Sequence, residues 1–517
     1  HLELGSGERV TIAVRDAAPY ARRAAARLRA AIVERPATRA YPCAHCDLCD
    51  YRPACDRAWR DADHLTYVAG IRREHVAALE AAGSGTLGAL AGLAPDAAIA
   101  GIAPEQLAAL REQAALQVEA RETGTVPFAL RPHVVERGFD LLPRPSALDV
   151  AFDLEGDPFW TASRELTFLF GLLLRDGETW TYEPIWAHDE ASERDALVAV
   201  VDRIHERLAR DPGMHVYHYS PAEPSAITRM MGLHAVREDA VDALLRRRVF
   251  VDLLAVVRQG LRAGVESYSL KAIERLAGFE RAAAMGGGAD AVLAYERWLA
   301  SRDAAELDGI AAYNEDDCRA TVAVLDWLLT LRPGGARWAE PPPPKPDEAE
   351  RSAADAAREE LVRALVDGFP AGSPERLAGR LVGYHMREAR PAWWRYFARC
   401  DAEHDELLDD GECIAGLVPT GEPPTTDARS LRHAFTYQDQ EHAFVAGTKG
   451  DDPASGGSLE VVEVDLERRS IVLKRGPKWA DAPLPAALIP GGPLRTGGQR
   501  AALQRLAVSL RDGTGAY

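Results

Sequence analysis

Apolar and polar residues alternate most regularly in LDVAFDLE, where Leu148, Val150, Phe152 and Leu154 interleave with Asp149, Ala151, Asp153 and Glu155. This is the two-residue period of a half-buried strand, so Asp153 and Glu155 project from one face. ELTFLFGLLLRDG and TWTYEPIWA continue as two further strands in a meander. ASERDALVAVVDRIHERLAR then switches to helical spacing, MHVYHY is an apolar strand, and EPSAITRMM opens another helix. The long helical pattern ELDGIAAYNEDDCRATVAVLDWLL closes a segment that reads as one α/β domain over residues 127–333.

The flanks carry different patterns. Residues 1–61 read as a strand hairpin, the amphipathic helix AAPYARRAAARLRAAIVE and the cysteine-rich YPCAHCDLCDYRPAC. Residues 62–124 are helical with glycine turns, and Gly70-Ile71 and Gly101-Ile102 each precede a short spacer and a Leu-rich helix. Downstream, GGARWAEPPPPKPDEAE marks a stiff Pro-rich linker at 334–350. Helical blocks at 351–410 follow, in which Trp393, Trp394, Tyr396 and Phe397 serve either packing or base stacking. Short strands at 411–517 suggest a small β-barrel.

Length and charge narrow the function classes. A chain of 517 residues exceeds one ordinary core and implies several domains, α/β and α+β in class. No stretch of 18 or more apolar residues occurs, so the reading is a cytoplasmic protein without membrane partners. The chain begins at His1 inside an apparent strand and stops at Tyr517, which reads as a piece of a longer polypeptide. A formal charge of -18 argues against a general polyanion binder; any nucleic-acid site must be a local basic groove or use cations to bridge carboxylates to phosphate. Only five lysines occur, Lys271, Lys345, Lys449, Lys474 and Lys478, so arginine richness follows overall composition more than phosphate recognition.

Two groups of residues carry candidate chemistry. Asp153 and Glu155 repel at strand spacing, and a shared proton or a divalent cation relieves that repulsion. Glu223 stands at the start of a helix, where a carboxylate also suits the helix dipole. Tyr313 and Asp317, four apart, share one helical face. Cys43, Cys46, Cys49 and Cys55 cluster within thirteen residues, while Cys318, Cys400 and Cys413 are scattered. Such clustering points to metal, with tight spacing favouring an iron-sulfur cluster over zinc.

Asp153-x-Glu155, the segment His218-Tyr219-Ser220-Pro221-Ala222-Glu223 and Tyr313-Asn314-Glu315-Asp316-Asp317, in this order, resemble the three motifs of DnaQ-like exonucleases, in the DEDD class and its tyrosine subtype. FVDLLAVVRQGL, with Asp252, and SYSLKAIERLAG add to the likeness, which is nearest to YprB-type ribonuclease-H-like members. The resemblance implies a ribonuclease-H-like fold and two Mg²⁺ or Mn²⁺ ions on Asp153, Glu155, Glu223 and Asp317, with Tyr313 positioning the attacking water. Two such ions neutralise charge at the attacking and leaving oxygens of a phosphodiester. The sequence departs from the family at Glu223 and His218, where Asp and Asn are usual.

Cys46-x2-Cys49-x5-Cys55 is similar to the C-terminal cysteine trio of RecB-like nucleases with a 4Fe-4S cluster, Cys43 being an additional thiol. The Gly70 and Gly101 repeats resemble helix-hairpin-helix units that contact DNA backbone, though a plain helical spacer fits the same residues. The linker, helical stalk and barrel resemble the segment before the first ATPase motif of superfamily 1 helicases, yet no G-x4-G-K-[ST] occurs. The array implies a RecB-like nuclease fused to a helicase core beyond Tyr517, acting on nucleic acid, above all single-stranded DNA ends. A nucleic-acid-gripping module without turnover and an assembly scaffold are the competing readings.

Overall fold

In the computed structural model the described residues are 2–3, 9–11, 13–35, 40–43, 46, 49–161, 163–283, 285–341, 348–438, 440–479 and 482–514. The proline-rich core of the expected linker, 342–347, and the end of the chain at 515–517 lie outside them. Two units divide the chain, His1–Pro127 and Phe128–Tyr517.

In the first unit, helices Arg73–Ala81, Leu87–Ala91 and Pro104–Thr123 bury Val76, Leu79, Leu87, Leu90, Leu107, Leu110 and Ala114 together with Leu65. Gln117 joins the last helix to the turn before Gly70: it donates to the Tyr67 carbonyl at 2.7 Å and accepts from Ala69 N–H at 3.0 Å. Gly70 (φ 78°) and Gly101 (φ 88°) occupy left-handed backbone, which is why these turns use glycine.

In the second unit, strands β1 (Val150–Thr161), β2 (Arg164–Asp176) and β3 (Thr179–Trp186) form the antiparallel meander. Helix α1 (Glu190–Arg210) starts at Asp189, whose carboxylate accepts the Ser192 N–H at 2.8 Å while Ser192 returns a bond to the Asp189 N–H. Strand β4 (Val216–His218), helices α2 (Ala222–His234) and α3 (Glu238–Arg246), strand β5 (Phe250–Asp252), helix α4 (Leu253–Gly260), helix α5 (Gly288–Ser301) and helix α6 (Ala304–Leu331) follow. Among the described residues the sheet order is β3-β2-β1-β4-β5, with β1, β4 and β5 parallel.

The alternation of β1 decides what each face meets. Val150 and Phe152, with Phe170, Leu172 and Leu174 of β2, pack against Leu197, Val200, Val201 and Ile204 of α1, Ile227 and Met230 of α2, and Val241 and Leu244 of α3. Each fully buried side chain of this size contributes about 1.5–3 kcal/mol relative to exposure. On the opposite face Ala151 and Leu173 meet Cys318 and Val322 of α6. Asp153 and Glu155 continue that opposite face, so the buried side of α6 covers them.

Beyond this domain, Tyr384–Asp401 lies against it, with Trp394 Nε1 donating to Asp242 at 3.1 Å. Trp394 is thus a packing residue, whereas Trp393 and Phe397 remain partly exposed and stack on each other at 5.6 Å. Among the described residues, strands from Ile414 onward build an eight-stranded sheet. Its terminal strands, Ile414–Ala415 and Val418–Pro419, are separated in the chain only by Gly416 and Leu417, and pair with Ala487–Pro490 and Ser430–Thr436 respectively. The left-handed φ of 70° at Gly416 turns the chain from one sheet edge to the other. Among the described residues no helix is long and apolar enough to cross a membrane.

Candidate metal centre

Ligand atoms of Asp153, Glu155 and Asp317 lie within 4.8 Å of one another; among the described residues no other group of three or more His, Cys, Asp or Glu side chains converges in this way. Strand spacing supplies the first two, and the third comes from α6, whose buried stripe includes Tyr313, Asn314, Asp317 and Cys318. Asp153 is half-buried, Glu155 and Asp317 buried. Loss of water, then repulsion from Asp317, Glu155 and Glu223, holds Asp153 well above the usual carboxylate range. Burial and Asp317 push Glu155 up to about 8, against lowering by an Asn314 hydrogen bond and by Lys271 and Arg281. Burial raises Asp317 as well, opposed chiefly by Arg281 and by a hydrogen bond with Tyr313.

The amide of Asn314 is the centre's internal support. Its Nδ2 donates to Asp153 Oδ2 at 2.7 Å, and its Oδ1 accepts from the Tyr182 hydroxyl at 2.8 Å. Room for this amide comes from Gly171, paired with Asp153 across the sheet: a Cβ there would stand 1.7 Å from Asn314 Oδ1. Neither Asn314 nor Gly171 was assigned a role from the sequence. The signal available was the lone glycine inside the apolar run FLFGLLL, which marks close approach by another group.

Cations complete the surroundings. Arg281 donates through Nε and Nη2 to Glu274, both at 2.7 Å, and through Nη2 to Asp317 Oδ1 at 2.6 Å. Lys271 Nζ lies 4.9 Å from the Tyr313 ring centroid and donates to the Gly286 carbonyl. Asp316, next to Asp317, accepts the Ala282 and Ala283 N–H groups at 2.8 and 2.7 Å and so ties the Arg281 loop to α6. Sequence reasoning passed over both cations because they lie between motifs.

Glu223 stands apart from the three converging carboxylates. It is buried near enough to raise Asp153, but its Oε2 accepts from Ser220 Oγ at 3.3 Å and lies 3.4 Å from His218 Nδ1. His218 Nδ1 also reaches the Ser220 carbonyl at 2.5 Å, and Ser220 is held at φ 149°, a sparsely populated backbone region for a residue other than glycine. Asp252 accepts the Leu254 N–H at 2.8 Å and caps α4.

The remaining candidates lie in the first unit. Cys43 and Cys46 bring their sulfurs to 4.0 Å; Cys49 and Cys55 are half-buried and, among the described residues, join no group of three converging ligands. Around Gly70 and Gly101 the space where a side chain would begin is open.

A family model described as RNase_H superfamily matches residues 150–329. That span runs from the first residue of β1 almost to the end of α6, and contains the whole sheet and all three converging acids. The domain is ribonuclease-H-like, and its class supports phosphodiester-hydrolysing nuclease activity with divalent metal ions and nucleic acid as substrate. No curated protein matches the chain.

Proposed function

We propose that residues 127–333 are a metal-dependent 3′-5′ exonuclease module of the tyrosine-subtype DEDD class. The observation that carries this reading is the convergence of Asp153, Glu155 and Asp317 on the α6 side of a ribonuclease-H-like sheet. The donor set fits Mg²⁺ or Mn²⁺: all hard carboxylate oxygens, crowded and short of water, so that proton uptake or a divalent cation must offset their repulsion. Asp153, Glu155 and Asp317 would hold such ions, with Glu223 reaching the centre once its carboxylate turns from Ser220. The ions would supply charge neutralisation at the attacking and leaving oxygens.

The chain's own groups do the rest. Asn314 orients Asp153, and Tyr313, hydrogen-bonded to Asp317, would align the attacking water with its hydroxyl. Burial raises the Tyr313 phenol, so it stays protonated and acts as a donor. Single-stranded DNA ends are the proposed substrate. In the same reading Cys46, Cys49 and Cys55 belong to a 4Fe-4S site of a RecB-like segment whose fourth cysteine lies far upstream in that family, Cys43 being either a substitute ligand or a bystander; the Gly70 and Gly101 turns contact backbone phosphate, and a helicase core follows Tyr517. Iron and sulfide analysis of anaerobically purified full-length protein tests the cluster; zinc without iron overturns it.

The decisive experiment for the nuclease compares the parent with Asp153→Asn on end-labelled single strands in Mn²⁺. The substitution keeps shape but removes a charge from the centre, so cleavage should fall by about a hundredfold or more. Equal rates would make the carboxylates structural. Glu223, turned toward His218 and Ser220, favours one second reading: a domain that grips a nucleic-acid end without turnover. Parent protein that binds single strands yet leaves them intact in Mn²⁺ supports that alternative.

A further inference from the structure

Arg281 makes more contacts than a structural ion pair needs. Glu274, 4 % exposed, takes the Nε/Nη2 edge of the guanidinium at 2.7 Å on both oxygens, which already balances the charge in the two-pronged geometry that arginine and carboxylate prefer. Nη2 nonetheless reaches on to Asp317 Oδ1 at 2.6 Å. Nη1 is buried and has no hydrogen-bond partner among the described residues. The guanidinium carbon lies 5.7 Å from the Tyr313 ring centroid, and Lys271 Nζ lies 4.9 Å from the same centroid. The loop that carries Arg281 is secured by the two backbone N–H bonds to Asp316, so the guanidinium is held from both ends.

Two consequences follow. A guanidinium on Asp317 competes with any divalent cation for the same carboxylate, because two cations on one oxygen pair repel. The unpartnered Nη1 leaves the residue short of one acceptor, and a planar arginine fork is matched to the oxygens of a phosphate. Resting on the nuclease reading above, we propose that Arg281 is both the resident counter-ion of the acidic centre and a substrate-contacting residue: it occupies Asp317 when no divalent cation is there, and once a cation displaces it from that carboxylate its now covered Nη1 turns out to a non-bridging oxygen of the bound phosphodiester. Metal and substrate affinity are thereby coupled through one side chain.

The test uses the full chain, stripped of metal, with two substitutions whose effects have opposite sign. Arg281→Gln removes the competitor, so Mn²⁺ affinity without nucleic acid, read from free Mn²⁺ by electron paramagnetic resonance, should tighten by about tenfold or more. The same variant should bind a fluorescein-labelled single-stranded oligonucleotide about tenfold more weakly in fluorescence anisotropy. Glu274→Gln leaves the guanidinium charge uncompensated beside Asp317 and should weaken Mn²⁺ binding. General destabilisation moves both variants the same way, so opposite shifts report the competition itself. Should Arg281→Gln fail to fold by circular dichroism, Arg281→Lys replaces it, with near-parental Mn²⁺ affinity and weakened oligonucleotide binding expected. Unchanged or weaker Mn²⁺ binding in Arg281→Gln, or unchanged oligonucleotide affinity, overturns the proposal while the parent's Mn²⁺ binding keeps the nuclease reading standing. A parent that binds no Mn²⁺ overturns both.

Discussion

Gly171→Ala adds a single methyl group, yet it acts at the tightest point of the candidate centre. The new Cβ would stand 1.7 Å from Asn314 Oδ1 and 2.8 Å from its Cγ, with Tyr182 Cε2 at 3.2 Å on the other side. Asn314 is fully buried on a helix packed against the sheet, so its amide must leave its place or the helix must shift. Moving the amide forfeits the bond from Tyr182 and the bond to Asp153. A neutral buried bond contributes about 0.5–1.5 kcal/mol and one to a charged group about 1.5–3 kcal/mol. Overpacking a full core adds about 1–3 kcal/mol. A loss of about 3–7 kcal/mol in chemical denaturation is therefore expected, with weaker Mn²⁺ binding because Asp153 loses its orienting amide. Asn314→Ala in the same chain opens the space again, so the double variant should recover about 1–3 kcal/mol of the steric share without regaining metal affinity. Gly171→Ala within about 0.5 kcal/mol of the parent, or a double variant no more stable than Gly171→Ala alone, would refute the reasoning.

Two further outcomes follow from the same geometry. Glu155 is raised in the folded state by burial and Asp317, so its share of stability is complete below its unfolded value of 4.5 and is lost as pH rises through about 8. Glu155→Gln removes that dependence, and its stability relative to the metal-free parent should be about 2–4 kcal/mol more favourable at pH 8 than at pH 5, measured by urea unfolding with chelator present. A difference that is flat or shrinks with pH sinks this account. Tyr313→Phe deletes the hydroxyl bonded to Asp317 but keeps the ring beneath Lys271 and Arg281. It should lose about 1 kcal/mol of stability and about tenfold in cleavage rate, milder than Asp153→Asn, by gel assay on labelled single strands; a loss as deep as that of Asp153→Asn argues that the phenol has another role.

How much was legible in advance depends on how local the cause was. The face shared by Asp153 and Glu155 follows from strand periodicity, and the alignment of Tyr313 with Asp317 follows from helical periodicity; both are properties of a backbone a few residues long. The element order over 127–333 was likewise readable, because each strand and helix declares itself by its own period. Asn314 lies 132 residues from Tyr182 and 161 from Asp153, and no local pattern announces that the three meet. Gly171 is informative only once its cross-strand register with Asp153 is known.

The same distinction separates the acids. Glu223 sits at the start of α2 as its motif implies, but the aim of its carboxylate is set by Ser220 and His218, through side-chain bonds that spacing does not encode. Arg281 lies in a loop with no periodicity, and its meeting with Glu274 and Asp317 exists only because that loop is tied down on α6. By itself the sequence determined which elements form and which acids share a face, since periodicity is local chemistry. Only the tertiary structure decided which of those acids converge, which amide and which cations hold them, and which glycine makes the room, since these rest on register and packing between distant segments.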